Sequence, residues 1–320
     1  MQSVNLGLRH KDESVEGIVL LKGIQQKISS NGSPYLDLTV MDRSGEMNAK
    51  VWNLAEGALP VAGSAIKIRG LVHEFMGKLQ LRIDKYRAAA EEEIDWAALV
   101  PCAPEEPEAL WQELYEAASG IREPGLRAIS RELLSERKEK LLIWPAAVSY
   151  HHAMRTGLLQ HSATMLRAAK ALFAVYPDIN PDLVVCGVIA HDMSKIDELA
   201  AGPLGLAAEY SAEGLLLGHL ALGVAHVREI GLRLGVGEEV LLLVEHMVLS
   251  HHENPEYGSP RPPMFPEAEL LHQLDVLDAR LFEMRAALAG TPDGGFSERV
   301  RSLENRRLYR VPRLGGQEEG

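Results

Sequence analysis

Ten of the twelve histidines lie after residue 150, and several interrupt stretches that are otherwise apolar. His161 follows Gly157-Leu-Leu-Gln160, and the pair His191-Asp192 ends the apolar run Val184 to Ala190. His219 sits within Leu215-Leu-Leu-Gly-His-Leu and His246 within Leu241-Leu-Leu-Val-Glu-His-Met. His251-His252 follows Leu249-Ser250, and Asp275 stands in Leu271-His-Gln-Leu-Asp-Val-Leu-Asp278. A single histidine of this kind is ordinarily a core side chain hydrogen-bonded to a neighbour. Several at core-facing helix positions are not satisfied so simply. A bound cation removes the difficulty, because imidazole and carboxylate are its natural ligands. The adjacent His191-Asp192 pair is the sharpest sign. Neighbouring residues can present imidazole and carboxylate to one cation only where the helix ends irregularly, which Met193-Ser194-Lys195 allows. The carboxylate has two oxygens and can bridge two cations while the imidazole holds one.

The elements that must carry these residues follow from periodicity. From Pro107 onward apolar residues recur at about 3.6: Leu110, Leu114 and Ala117 share one face, and Leu158, Met165, Ala169 and Leu172 another. Further helices are expected near 181–193, 213–231, 237–250 and 266–288, with almost no strand signal, so this part is expected to be all-α. Residues 14–88 instead alternate at period two, with turns at Asn31-Gly-Ser-Pro34, Asp42-Arg-Ser-Gly45 and Met76-Gly77. Five strands with a short helix at Leu54 to Leu59, between the third and fourth, is the layout of an OB-fold barrel. The expected architecture is therefore multidomain β + α: an OB-fold over 1–90, a proline-bearing acidic linker over 91–107, and a helical domain over 108–320 with its core at about 145–290.

Charge divides the chain at the same place. Residues 1–90 carry 12 Lys/Arg against 9 Asp/Glu, and the rest carry 21 against 36. An acidic domain can still act on a polyanion when cations supply the local positive charge. Apolar runs such as Leu183 to Ala190 are far too short to span a bilayer, and residues 1–20 show no secretory pattern, so no membrane association is expected. Two isolated cysteines, Cys102 and Cys186, exclude a disulfide framework and suit a cytoplasmic location.

The order His161, His191-Asp192, Asp275 resembles the H…HD…D signature of the HD phosphohydrolase superfamily. The resemblance implies that these four side chains hold a divalent metal, with Asp278 as competitor to Asp275. It also implies that Lys195, in His191-Asp-Met-Ser-Lys195, lies near a substrate phosphate. His219, with His246 or His251, resembles the extra ligands of binuclear members that share a bridging Asp192, and His252 is a further phosphate contact. A longer set of matches is similar to the YhaM-type 3′→5′ exoribonucleases: His151 to His161, Leu249-Ser-His-His252, Glu256-Tyr-Gly-Ser-Pro260, Leu274 to Ala279 and Glu304-Asn-Arg306. Two departures stand out: Gln160 replaces the family's usual Glu, and Thr156-Gly157 its Gly-Gly.

The resemblance implies hydrolysis of single-stranded RNA to nucleoside 5′-monophosphates, with single-stranded DNA as a second polymer to consider. Water activated by one or two divalent ions is the expected nucleophile, with Asp192, Lys195 and His252 as catalytic residues. Mixed His/Asp donors favour Mn²⁺, with Mg²⁺, Fe²⁺ or Co²⁺ compatible. On the barrel, Tyr35, Trp52, Phe75 and Tyr86 are candidates for base stacking, and Lys50, Lys67, Arg69, Lys78 and Arg82 for tracking the backbone. His151 and His152 are open between substrate contact and packing, His226 reads as structural, and His10, His73 and His272 carry no evident role. The competing readings are a small-nucleotide phosphohydrolase and a non-enzymatic adaptor. A homo-oligomer is left open.

Overall fold

A computed structural model describes residues 4–29, 32–52, 59–148, 152–202 and 204–312. The expected helix at Leu54 to Leu59 falls almost wholly outside these residues, as do Asn31 and His151. The chain forms two compact units, Met1–Cys102 with Gly202–Leu204, and Ala103–Ala201 with Gly205–Gly320.

The first unit is a closed barrel of β1 (Ser14–Ile28), β2 (Pro34–Asp42), β3 (Gly45–Val51), β4 (Ala65–Phe75) and β5 (Lys78–Ala88), in the order β1-β2-β3-β5-β4. Alternation decides which side chains enter. Leu36, Leu38 and Val40 of β2 are buried, while Tyr35, Asp37 and Thr39 face outward. Strand β1 serves two neighbours. Ser14 to Leu20 pair with β4, and Leu20 to Ile28 with β2, the register shifting between Leu21 and Gly23. Such a bulge bends a strand and lets it turn the barrel's corner. The parallel pairing of β3 with β5 completes the five-stranded OB-fold.

Residues 91–102, read from the sequence as linker, carry a 3-10 turn (Glu91–Glu93) and a short helix α1 (Trp96–Leu99), and group with the barrel. Glu91 and Glu92 are exposed, but Glu93 is anchored to the barrel. Glu93 pairs with Arg87 at 2.6 Å and Lys67 at 3.1 Å, and Leu99 and Val100 are buried.

The second unit is built from α2 (Pro107–Gly120), α3 (Pro124–Glu136), α4 (Lys138–Leu141), α5 (Gly157–Leu172), α6 (Pro181–Ala190), α7 (Lys195–Glu198), α8 (Ala212–Leu216), α9 (Gly218–Leu234), α10 (Glu238–Ser250) and α11 (Pro266–Leu288). Two short hairpins interrupt the expected all-helical pattern, β6 (Leu199–Ala201) with β7 (Ala207–Tyr210), and β8 (Phe296–Val300) with β9 (Arg306–Tyr309). Strands of three to five residues are too short to imprint a period on the sequence. Helix α6 is central. Every residue from Leu183 to Ala190 is buried, as expected of a helix that is apolar all round. Asn180 caps it by accepting from the amides of Asp182 and Leu183, and Pro181 opens it. No helix among the described residues is long and apolar enough to cross a membrane.

Candidate metal centre

Five elements deliver the chemistry-bearing residues to one place in the helical unit. Helix α5 carries His161, and α6 ends on His191 and Asp192. Helix α9 starts with His219, α10 runs into His251 and His252, and α11 carries Asp275 and Asp278. Residues 191–194 form the irregular turn that the adjacent pair requires, and α7 then presents Lys195. At the start of α5 the backbone passes so close to the preceding loop that a Cβ on Gly157 would lie 2.0 Å from the His152 carbonyl oxygen. Glycine is the residue that permits this approach.

Four rings are fixed by one nitrogen each. His161 Nδ1 donates to Asp278 Oδ2 at 2.7 Å and His219 Nδ1 to Glu198 Oε1 at 2.9 Å. His191 Nδ1 donates to the Val188 carbonyl at 2.9 Å and His251 Nδ1 to that of Val248 at 2.8 Å. Each acceptor is an oxygen without a proton to give, so Nδ1 carries the proton and Nε2 is left for the centre.

Those Nε2 atoms surround Asp192, whose carboxylate is 2% exposed. Oδ2 lies 3.4 Å from His191 Nε2 and 3.7 Å from His161 Nε2, and His161 Nε2 is 3.3 Å from Asp275 Oδ1. Oδ1 lies 3.5 Å from His219 Nε2 and 3.7 Å from His251 Nε2. His252 joins the second group, its ligand atom within 4.8 Å of those of Asp192, His219 and His251.

These residues fit a divalent metal. Nε2 of His219 and of His251 is buried without a hydrogen-bond partner, and His161 and His191 face each other Nε2 to Nε2 at 3.3 Å. Donor atoms sharing one cation at about 2.0–2.2 Å stand about 3–3.6 Å apart, close to these spacings. The centre therefore suits divalent-metal binding, with donors grouped on either side of one carboxylate.

Electrostatics support the same arrangement. Burial opposes ionisation of Asp192, yet Lys195 and His191 hold it well below the usual carboxylate range. Lys195 Nζ is 2.7 Å from Asp192 Oδ2. Burial alone would lower His161, but hydrogen bonds with Asp275 and Asp278 raise it to about 9, so near pH 7 a cation must displace a proton from its Nε2 to bind there. Burial pushes His251 down to about 3, so it is neutral near pH 7 and ready to ligate.

His161, His191, Asp192, Lys195, His219, His251, His252 and Asp275 come together in one place. His246 does not. Its Nε2 accepts the Met264 amide at 3.0 Å, and its ring packs on Phe265. His246 and His251 are five residues apart, about 140° around a helix axis, so both cannot face one centre. His252, expected as a phosphate contact, stands among the second group of donors and also lines the cleft on which the centre opens. Asp278 orients rings, accepting from His152 Nε2 at 2.8 Å as well as from His161. His152 packs on Phe282, and His226 pairs with Glu136 at 2.9 Å. Glu198 escaped the sequence reading, since no spacing rule links it to a histidine 21 residues away.

The centre opens on a cleft of about 730 Å³ lined by Lys195, His219, His252, His272, Asp275 and Arg280 among others. On the barrel, Tyr35 and Trp52 stack at 4.6 Å, Lys50 lies 5.5 Å from the Tyr35 ring, and Lys50 is paired across strands with Arg82. Lys78 shares the outward face of β5 with Arg82 and pairs with Phe75. Arg69 lies beyond a bulge on β4, opposite Glu16 and Lys85, on a strand that neighbours neither β2 nor β3.

A model of the HD domain matches residues 158–280, the segment that contains the whole cluster. The 3′-5′ exoribonuclease YhaM of Geobacillus sp. (strain WCH70) is 38% identical over 93% of this chain and 92% of its own length. The YhaM of Halalkalibacterium halodurans is 35% identical over 93% of each chain. Among solved structures, the second OB-fold domain of replication protein A from Methanococcus maripaludis aligns at 14% identity and a TM-score of 0.23, covering 28% of this chain and 96% of its own. With these identities spanning nearly its full length, the chain belongs to the YhaM family of 3′-5′ exoribonucleases.

Proposed function

We propose that this protein is a metal-dependent 3′→5′ exoribonuclease that hydrolyses single-stranded RNA, with single-stranded DNA as a second polymer, to nucleoside 5′-monophosphates at a binuclear centre. The observation that carries the binuclear reading is Asp192, whose two oxygens each face a different set of imidazoles. His161, His191, Asp192 and Asp275 would hold one ion, and Asp192, His219, His251 and His252 the other. When bound, the ions supply a water acidic enough to attack near neutral pH and charge to offset the phosphate.

The chain's own residues do the rest. Asp278 and Glu198 lock the rings of His161 and His219, so that Nε2 points inward before any ligand arrives. Lys195, buried and held by Asp192, sets a fixed positive charge beside the cleft for a non-bridging phosphate oxygen. Water oxygen joins phosphorus and gives up a proton, the bond from phosphorus to the upstream 3′ oxygen breaks, and that oxygen takes up one proton in balance to become the new 3′ hydroxyl. The Tyr35–Trp52 stack with Lys50 and Arg82 suits bases and phosphates of a single strand without regard to sequence. Mn²⁺ fits the mixed donors best, with Mg²⁺, Fe²⁺ or Co²⁺ as substitutes. Two cysteines, at positions 102 and 186, are too few for a disulfide framework and accord with a reducing cytoplasm.

The test is digestion of 5′-labelled single-stranded RNA with Mn²⁺. Wild type is expected to give a ladder shortening from the 3′ end, and Asp192→Ala to slow it more than about a thousandfold. Intact RNA from metal-loaded wild type would refute the reading.

A further inference from the structure

We propose that Arg280 is a substrate-binding residue that grips the phosphate one step upstream of the scissile linkage, and that the Glu304-Asn305 turn exists to hold it there. The inference rests on the exonuclease reading above and adds a contact to it.

Helix α11 runs from the floor of the cleft to its rim. Side-chain exposure rises from 8% at His272 and 13% at Asp275 to 50% at Arg280, and all three line the cleft. Arg280 follows Asp275 by five residues, about 7.5 Å along the helix axis, roughly one nucleotide from the metal centre. Among the described residues lining the cleft, only Lys195 and Arg280 carry a fixed positive charge. Lys195, held by Asp192, serves the scissile phosphate, so the strand leaving the centre meets Arg280 as the next fixed positive charge among the described cleft residues.

The turn opposite is built for that cation. Glu304 and Asn305 both adopt left-handed backbone, at φ 51° and 57°, a conformation that costs a glutamate energy and persists where surroundings enforce it. Arg299 Nη1 pins the turn by donating to the Asn305 carbonyl at 3.1 Å. Glu304 then sits between two guanidinium groups, 2.5 Å from Arg280 Nη2 and 2.9 Å from Arg306 Nη2. The pair is half-exposed, so its own attraction is weak, and the remaining donors of the guanidinium fork can take a phosphate.

The experiment compares an ordinary short single-stranded RNA with one whose second linkage from the 3′ end is a neutral methylphosphonate. Only removal of the terminal nucleotide is timed. Neutralisation is expected to slow wild type about ten- to hundredfold. Arg280→Ala is expected to be equally slow on both RNAs, with unchanged metal content and melting temperature. Arg280→Lys keeps part of the difference. Wild type indifferent to the neutral linkage, or Arg280→Ala as sensitive to it as wild type, would overturn the proposal while leaving the exonuclease reading intact. Wild type that leaves the ordinary RNA uncut overturns both.

Discussion

The two units use their polar side chains in opposite ways. In the helical unit, His161, His191, His251 and Asp192 are almost wholly buried, and each ring is fixed through Nδ1 by an oxygen. On the barrel, the candidate contacts are exposed and tied to one another. Trp52 is 46% exposed, and Asp37 holds both Lys27 and Lys50 at 2.6 Å. A buried centre fixes geometry in advance, which is what chemistry at one phosphorus atom needs. An exposed face with exchangeable ion pairs tolerates any sequence sliding across it. The comparison predicts that damage to the helical unit removes turnover, whereas damage to the barrel alters grip.

Its sharpest break comes from the residues that orient rings without facing the cations. Asp278→Asn and Glu198→Gln should each weaken metal binding about ten- to hundredfold, with activity recovering at high Mn²⁺ in a titration. A loss that excess metal does not repair would mean that these carboxylates do something other than orient. Next in size, Trp52→Ala should raise KM for RNA about tenfold with kcat and metal content unchanged.

The smallest effect concerns Asp37. Asp37→Asn frees two lysines and should tighten RNA binding about threefold at low salt, with a steeper salt dependence. The same carboxylate reports on pH. Burial opposes its ionisation, but Lys27, Lys50 and Asn48 hold it well below the usual carboxylate range. A group depressed in the folded state stabilises above its unfolded pKa, and that stability is lost as pH falls through the lowered folded value. Thermal melts should therefore show the wild-type protein losing stability below about pH 4, and Asp37→Asn losing less over the same range.

Much of this was legible in the sequence. Period-two alternation gave the barrel strands, because Leu36, Leu38 and Val40 enter the core at every second position. The ligand candidates stood out because imidazoles in apolar helices are costly without a partner. The choice between His246 and His251 was also legible in principle. Leu241, Val244 and Val248 mark the buried side of α10, which His251 continues and His246 leaves. Glu198 was not legible, because its partnership with His219 arises only when α7 packs beside α9. The place of residues 91–102 was hidden for the opposite reason. Their prolines and glutamates look like linker, and only the fold shows Glu93 between Arg87 and Lys67.

The central claim is that Asp192 bridges two ions, and metal counting tests it most directly. Protein saturated with Mn²⁺, desalted and measured by plasma mass spectrometry should hold two ions per chain. His251→Ala should fall to one, and His246→Ala should keep both. One ion in the wild type, or a loss on changing His246 but not His251, would contradict the account.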